Sequence, residues 1–113
     1  MTTTSRPAPV SADQFHLAAL ELLSTGQVED AVRSLRRALD LDPARAAAWN
    51  DLGVILEALG NRRDAVYCYR RALRAQPAMQ EPRRNLLALA LQAASAPPPP
   101  RPVTARAAAA IAR

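Results

Sequence analysis

The sequence predicts an all-α fold, an α-solenoid of stacked antiparallel helix hairpins, on three observations. Displaced by 34 residues, Ala12–Arg45 falls on Ala46–Met79, with Asp30-Ala31-Val32 over Asp64-Ala65-Val66, Arg36-Arg37-Ala38-Leu39 over Arg70-Arg71-Ala72-Leu73, Gly26 over Gly60 and Pro43-Ala44 over Pro77-Ala78. Within each copy the apolar residues recur at three- and four-residue spacing, the period of a helix rather than a strand. Ala and Leu dominate the apolar half of the chain while aromatics make up only 4% of it, a balance that favours helices over sheets. A repeat of this length with matched glycines and prolines is the mark of helical hairpins that bury their apolar faces by stacking.

Taken in order, the pattern predicts helices at 12–25, 28–41, 45–59, 62–75 and 80–95. The start of the chain is rich in Thr, Ser and Pro and has no apolar core of a signal peptide, so 1–11 is expected to be a disordered leader. Gly26 and Gly60 suit the left-handed position that ends the first helix of each hairpin, and Pro43 and Pro77 close the second. In the second unit Trp49, Leu52, Leu56 and Leu59 form one stripe, with Trp49 expected to be buried between the hairpins, and Ala65, Tyr69, Ala72 and Leu73 form the next. A further displacement carries Leu52 onto Leu86 and Leu56 onto Ala90 but Ala65 onto Pro99, inside a run of four prolines, so the third unit keeps only its first helix. The expected plan is a repeat domain at 12–95, with repeats 12–45 and 46–79 and a capping helix at 80–95 whose Arg83, Arg84, Asn85 and Gln92 give it a polar side for water. A Pro/Ala-rich tail follows at 96–113, expected to be an extended polyproline spacer leading into an Ala-rich run.

Composition narrows the function. One cysteine, Cys68, cannot make an internal disulfide, and with His16 the only histidine no metal or other cofactor is expected. A reduced, cytoplasmic setting fits, and no segment approaches the apolar length of a membrane span. The formal charge of +5 is unevenly spread: 12–45 carries six acids and four arginines, and 80–113 one acid and five arginines.

The second unit, Trp49-x-x-Leu52-Gly53-x-x-Leu56, Gly60, Ala65-x-x-x-Tyr69-x-x-Ala72 and Pro77, resembles a tetratricopeptide repeat in nearly every signature place. The first is a looser copy, with Phe15, Ala18, Ala19, Leu22, Gly26, Ala31, Leu35, Ala38 and Pro43. The resemblance covers Ala12 to Ser95 and implies two such repeats plus a C-terminal capping helix, wound into a right-handed superhelix whose first helices line a peptide-holding groove. It assigns the groove wall to Asp13, His16, Leu17 and Leu20, then Asn50, Asp51, Val54 and Glu57, then Glu81, Arg84 and Asn85, with Leu23 and Ala88 alongside. Leu17, Leu20 and Leu23 sit over Asp51, Val54 and Glu57, so the hairpin core does not demand them, and they suggest an apolar end to the groove.

The family's carboxylate clamp for a chaperone tail would fall on His16, Leu20, Asp51, Glu81 and Asn85. Acids at Asp51 and Glu81 oppose a carboxylate ligand, so that binding mode is rejected. The arginine pairs Arg36-Arg37, Arg62-Arg63 and Arg70-Arg71 are interspersed with Glu29, Asp30, Asp40, Asp42 and Asp64, which disfavours a nucleic-acid stripe. His16 and Cys68 have no partners arranged for nucleophilic catalysis, so no enzyme is expected. The function expected is a protein-protein interaction module, adaptor or scaffold, binding a peptide or partner domain in the groove. The alternative is a structural module that forms homo-oligomers through exposed apolar surface, the edge around Phe15 and Leu22 being expected to stand uncovered because the first repeat lacks a preceding unit.

Overall fold

The computed structural model describes residues 10–95, which form five helices: α1 (Ala12–Ser24), α2 (Val28–Leu41), α3 (Ala46–Ala58), α4 (Arg62–Ala75) and α5 (Gln80–Ser95). The expected leader, apart from Val10 and Ser11, and the whole expected tail at 96–113 lie outside the described residues. α1 pairs with α2 and α3 with α4 as hairpins, α2 packs on α3 and α4 on α5, and α3 also touches α5. The expected helices are present, with the first and third each shorter: Thr25 and Leu59 are C-caps, and Arg45 is the N-cap of α3.

Local chemistry sets the boundaries. Ser11 opens α1 with a capping box, its hydroxyl accepting from the Gln14 N–H at 3.2 Å while the Gln14 amide oxygen accepts from the Ser11 N–H at 2.8 Å. α1 and α3 end in the same way. Gly26 and Gly60 stand at φ +79° and +86°, and the next residue's N–H reaches back to Leu22 and Leu56 at 2.8 Å in both repeats. Glycine adopts that backbone without a Cβ clash, and the loop satisfies carbonyls left open at the helix end.

The core runs through Ala19, Ala31, Leu35, Leu39, Ala48, Leu52, Ile55, Leu56, Ala65, Cys68, Tyr69 and Leu89. Small residues mark the hairpin crossings. A Cβ on Gly53 would lie 2.6 Å from Cε1 and 2.8 Å from Cδ1 of Tyr69, a ring fully buried and anchored by its hydroxyl, which donates to Glu57 at 2.7 Å. The α3/α4 crossing therefore has room for hydrogen alone at position 53.

Three packing expectations need correction. Trp49 is part-buried rather than enclosed between hairpins: its indole N–H donates to the Pro43 carbonyl at 2.8 Å, and its ring stays at the surface between Tyr67, 6.0 Å away edge-on, and the Arg71 guanidinium, 4.7 Å above. Leu59 is 55% exposed, because the helix ends before it and the chain turns toward Gly60. Phe15 and Leu22 are half-buried, not bare, Phe15 lying under the Arg37 guanidinium at 5.3 Å and Leu22 packing on the core.

Candidate functional site

The first helices of the hairpins and α5 share one face, and a ladder of polar side chains ties them together along it. His16 on α1 bonds through Nε2 to Asp51 on α3 at 2.6 Å, while Arg45, the N-cap of α3, donates from Nε to His16 Nδ1 at 3.0 Å and also pairs with Asp13. An arginine Nε can only donate, so Nδ1 is the acceptor and Nε2 carries the histidine proton toward Asp51. One repeat later, Asn50 donates to Glu81 at 3.1 Å and accepts from Asn85 at 3.1 Å. His16 with Asp51 and Asn50 with Asn85 are the same pair of positions, one repeat apart. Two chemically different pairs thus fill one geometric role at successive joints.

The ladder is desolvated where it matters. His16 is 8% exposed and Asn50 2%, and both are hydrogen-bonded, as buried polar groups must be. These two residues, expected on the groove wall, are therefore joints of the scaffold, their polar atoms bonded to neighbouring side chains; Asn50 still borders the cleft between the helices, whereas His16 does not. The fixed joints set the separation of α1, α3 and α5.

Between those helices lies a cleft of about 480 Å³, lined by Leu20, Leu23, Asn50, Asp51, Val54, Ile55, Glu81, Arg84 and Asn85. Of the groove residues read from the sequence, the structure brings Leu20, Asn50, Asp51, Val54, Glu81, Arg84 and Asn85 together at this cleft, and Leu23 with them. It leaves Asp13, His16, Leu17 and Glu57 outside its lining: Asp13 is held by Arg45, His16 by Asp51 and Arg45, and Glu57 accepts from the buried Tyr69 hydroxyl. Leu17 is 60% exposed. Ile55 was not among the expected residues; it packs in the core and also lines the cleft, and the repeat did not mark it, since Glu21 stands at its place in the first unit.

One wall of the cleft is apolar, from Leu20, Leu23, Val54 and Ile55, and the other carries two carboxylates, two amides and the exposed Arg84 guanidinium. Such a surface can accept an apolar side chain beside backbone amides and a basic group. On the opposite side of the α3/α4 hairpin, burial and the Asp64 carboxylate push the Cys68 thiol up to about 11, outweighing the opposing Arg36 charge. Burial foremost, then the hydrogen bond to Glu57, raises Tyr69 as well. The only thiol is thus held protonated and inert, a packing group.

The tetratricopeptide repeat family model matches residues 16–82. No curated protein matches the sequence. Among solved structures, the crystal structure of MamA superposes with a TM-score of 0.64 at 18% identity, covering 74% of this chain and 54% of that one. A second crystal structure, of MamA protein, gives a TM-score of 0.61 at 16% identity, covering 82% and 62%. At these identities the likeness is one of fold, and the present chain spans little more than half to three-fifths of those structures.

Proposed function

The chain belongs to the tetratricopeptide repeat family, a protein-interaction scaffold, and from that premise we propose that this member is an adaptor that binds an extended segment of a partner protein along the face of α1, α3 and α5. The observation that carries the reading is the two-sided cleft, with Leu20, Leu23 and Val54 on one wall and Asp51, Glu81 and Asn85 on the other. An apolar side chain of the partner sits against the leucines, its backbone is met by Asn85, and a flanking Lys or Arg faces Asp51 and Glu81. The carboxylates set preference more than affinity, since exposed charge pairs contribute only about 0–1 kcal/mol each. The same carboxylates argue against a C-terminal carboxylate as the bound group. No helix among the described residues is long and apolar enough to cross a membrane, and the single buried thiol supports a reducing compartment such as the cytoplasm.

The test is affinity capture with a matched pair of variants. Val54→Arg, on the cleft wall, is expected to lose bound partners, while Tyr67→Arg, exposed on the far side of the hairpin, retains them at equal helical content. Equal retention by both overturns the assignment of the groove.

A further inference from the structure

The outer face of α4 differs from that of its sister helix α2. Arg62, Arg63, Arg70 and Arg74 are all exposed along it, and between them lie the part-buried Val66 and the exposed Tyr67. Five of these, Arg62, Arg63, Val66, Tyr67 and Arg70, line a shallow depression of about 550 Å³. One repeat earlier the same six positions hold Val28, Glu29, Val32, Arg33, Arg36 and Asp40, two acids against two arginines, and Arg33 is paired with Asp30. The acids interspersed among the arginine pairs in the sequence thus sit mostly on α2. Among the described residues no ion pair takes up Arg62, Arg63, Arg70 or Arg74. The one acid of α4, Asp64, lies on the cavity it shares with Arg36, Asp40 and Cys68 rather than in this depression.

A solvated outer face needs only a mixture of charges, and α2 has one. α4 instead concentrates one sign around an apolar floor. Arginine forks bind carboxylates bidentately, and clusters of them recognise acidic motifs. Val66 and Tyr67, in the middle, offer apolar contact to a side chain set among those acids. The strip is narrow on the side toward α2: across Tyr67 lies the cavity bordered by Asp40 and Asp64, whose carboxylates repel a phosphate backbone spreading that way. A short acidic peptide fits this width better than a polynucleotide does. We propose that the outer face of α4 is a second interaction surface, separate from the groove, which takes a segment of a protein partner whose glutamates or aspartates flank one apolar residue. Its contacts are its own, so a probe at Tyr67 or Arg63 still reports none of the partners held in the groove.

The probe is a dye-labelled Glu-Glu-Phe-Glu-Glu peptide with capped ends, its binding to the full chain followed by fluorescence anisotropy. It should bind weakly, as exposed ion pairs do, and several-fold more weakly as salt rises from about 50 to 200 mM. Arg63→Gln/Arg70→Gln should lower the affinity several-fold, while Arg33→Gln/Arg36→Gln, the same loss of charge on α2, leaves it unchanged. All four side chains are exposed, so both variants should keep the wild-type helical spectrum. Should either misfold, the backbone amide signals of Val66, Tyr67 and Arg70 in the wild type must shift on adding peptide more than those of Val32, Arg33 and Arg36. No binding by the wild type, equal weakening by both variants, equal shifts on both helices, or tighter binding of a thymidine pentanucleotide with the same four charges overturns the proposal.

Discussion

Replacing Gly53 by alanine separates the packing account from helix propensity, because the two predict opposite signs. In an exposed helix interior the change stabilises by about 0.8–1.0 kcal/mol. At this position the new Cβ meets Tyr69 Cε1 at 2.6 Å. The ring has no free side to retreat to, being fully buried, and any tilt lengthens its 2.7 Å hydrogen bond to Glu57. Overpacking costs about 1–3 kcal/mol and weakening a buried hydrogen bond about 1 kcal/mol more, so the net is a loss of roughly 1–3 kcal/mol after the propensity gain. For a domain of this size that is a drop in Tm of about 4–24 °C, measured by thermal melting followed by circular dichroism. Gly53→Leu should be worse, and Tyr69→Leu in the Gly53→Ala background should recover part of the loss. A Gly53→Ala protein that melts at or above the wild-type temperature refutes the claim that α3 and α4 touch here.

Further outcomes follow from the same structure. Gly60→Ala, forced to φ +86°, should lose about 1 kcal/mol although nothing crowds the site, and Gly26→Ala should behave alike; unchanged melting of either denies the left-handed cap. The Cys68 thiol is raised in the fold from 9.0 to about 11, so its contribution to stability is present below pH 9 and falls as pH rises from there to about 11; Cys68→Ala should flatten that part of the stability profile, and an unaltered alkaline slope contradicts it. Asp51→Ala strands the buried His16 N–H at a cost of about 1–3 kcal/mol, while Asp51→Asn keeps an acceptor and most of the stability. Nitrogen chemical shifts of neutral His16 should report the Nε2–H tautomer; the Nδ1–H tautomer denies the Arg45 contact.

The hairpins were legible because the glycine turns and small crossing residues are local requirements that repeat with the chain: Gly26 and Gly60, Ala31 and Ala65, Ala38 and Ala72 each answer the same geometric demand. The cleft was legible as a set of helix faces, which is why Leu20, Val54, Arg84 and Asn85 line it. The joints across it were not. His16 meets Asp51 and Asn50 meets Asn85, the same positions served by unlike side chains, so comparing one repeat with the next shows no identity where the contact lies. Trp49 misled in the other direction. A large aromatic at a signature position suggested full burial, whereas the hydrogen bond to Pro43 and the Arg71 stack hold it at the surface. For α5, helical periodicity marks polar and apolar residues but not which side lacks a neighbour, and only the structure shows Leu87 and Leu91 exposed beside its polar residues.

The central claim is that partners lie along α1, α3 and α5, and site-specific photo-crosslinking in the native cell tests it most directly. A photoreactive residue placed at Val54 or Arg84 should give discrete adducts with a protein partner, weakened when the exposed cleft residue Leu20 is changed to arginine, and the same residue at Tyr67 or Arg63 should give none of these. Adducts that form at Tyr67 and Arg63 but not at Val54 or Arg84 would contradict the account.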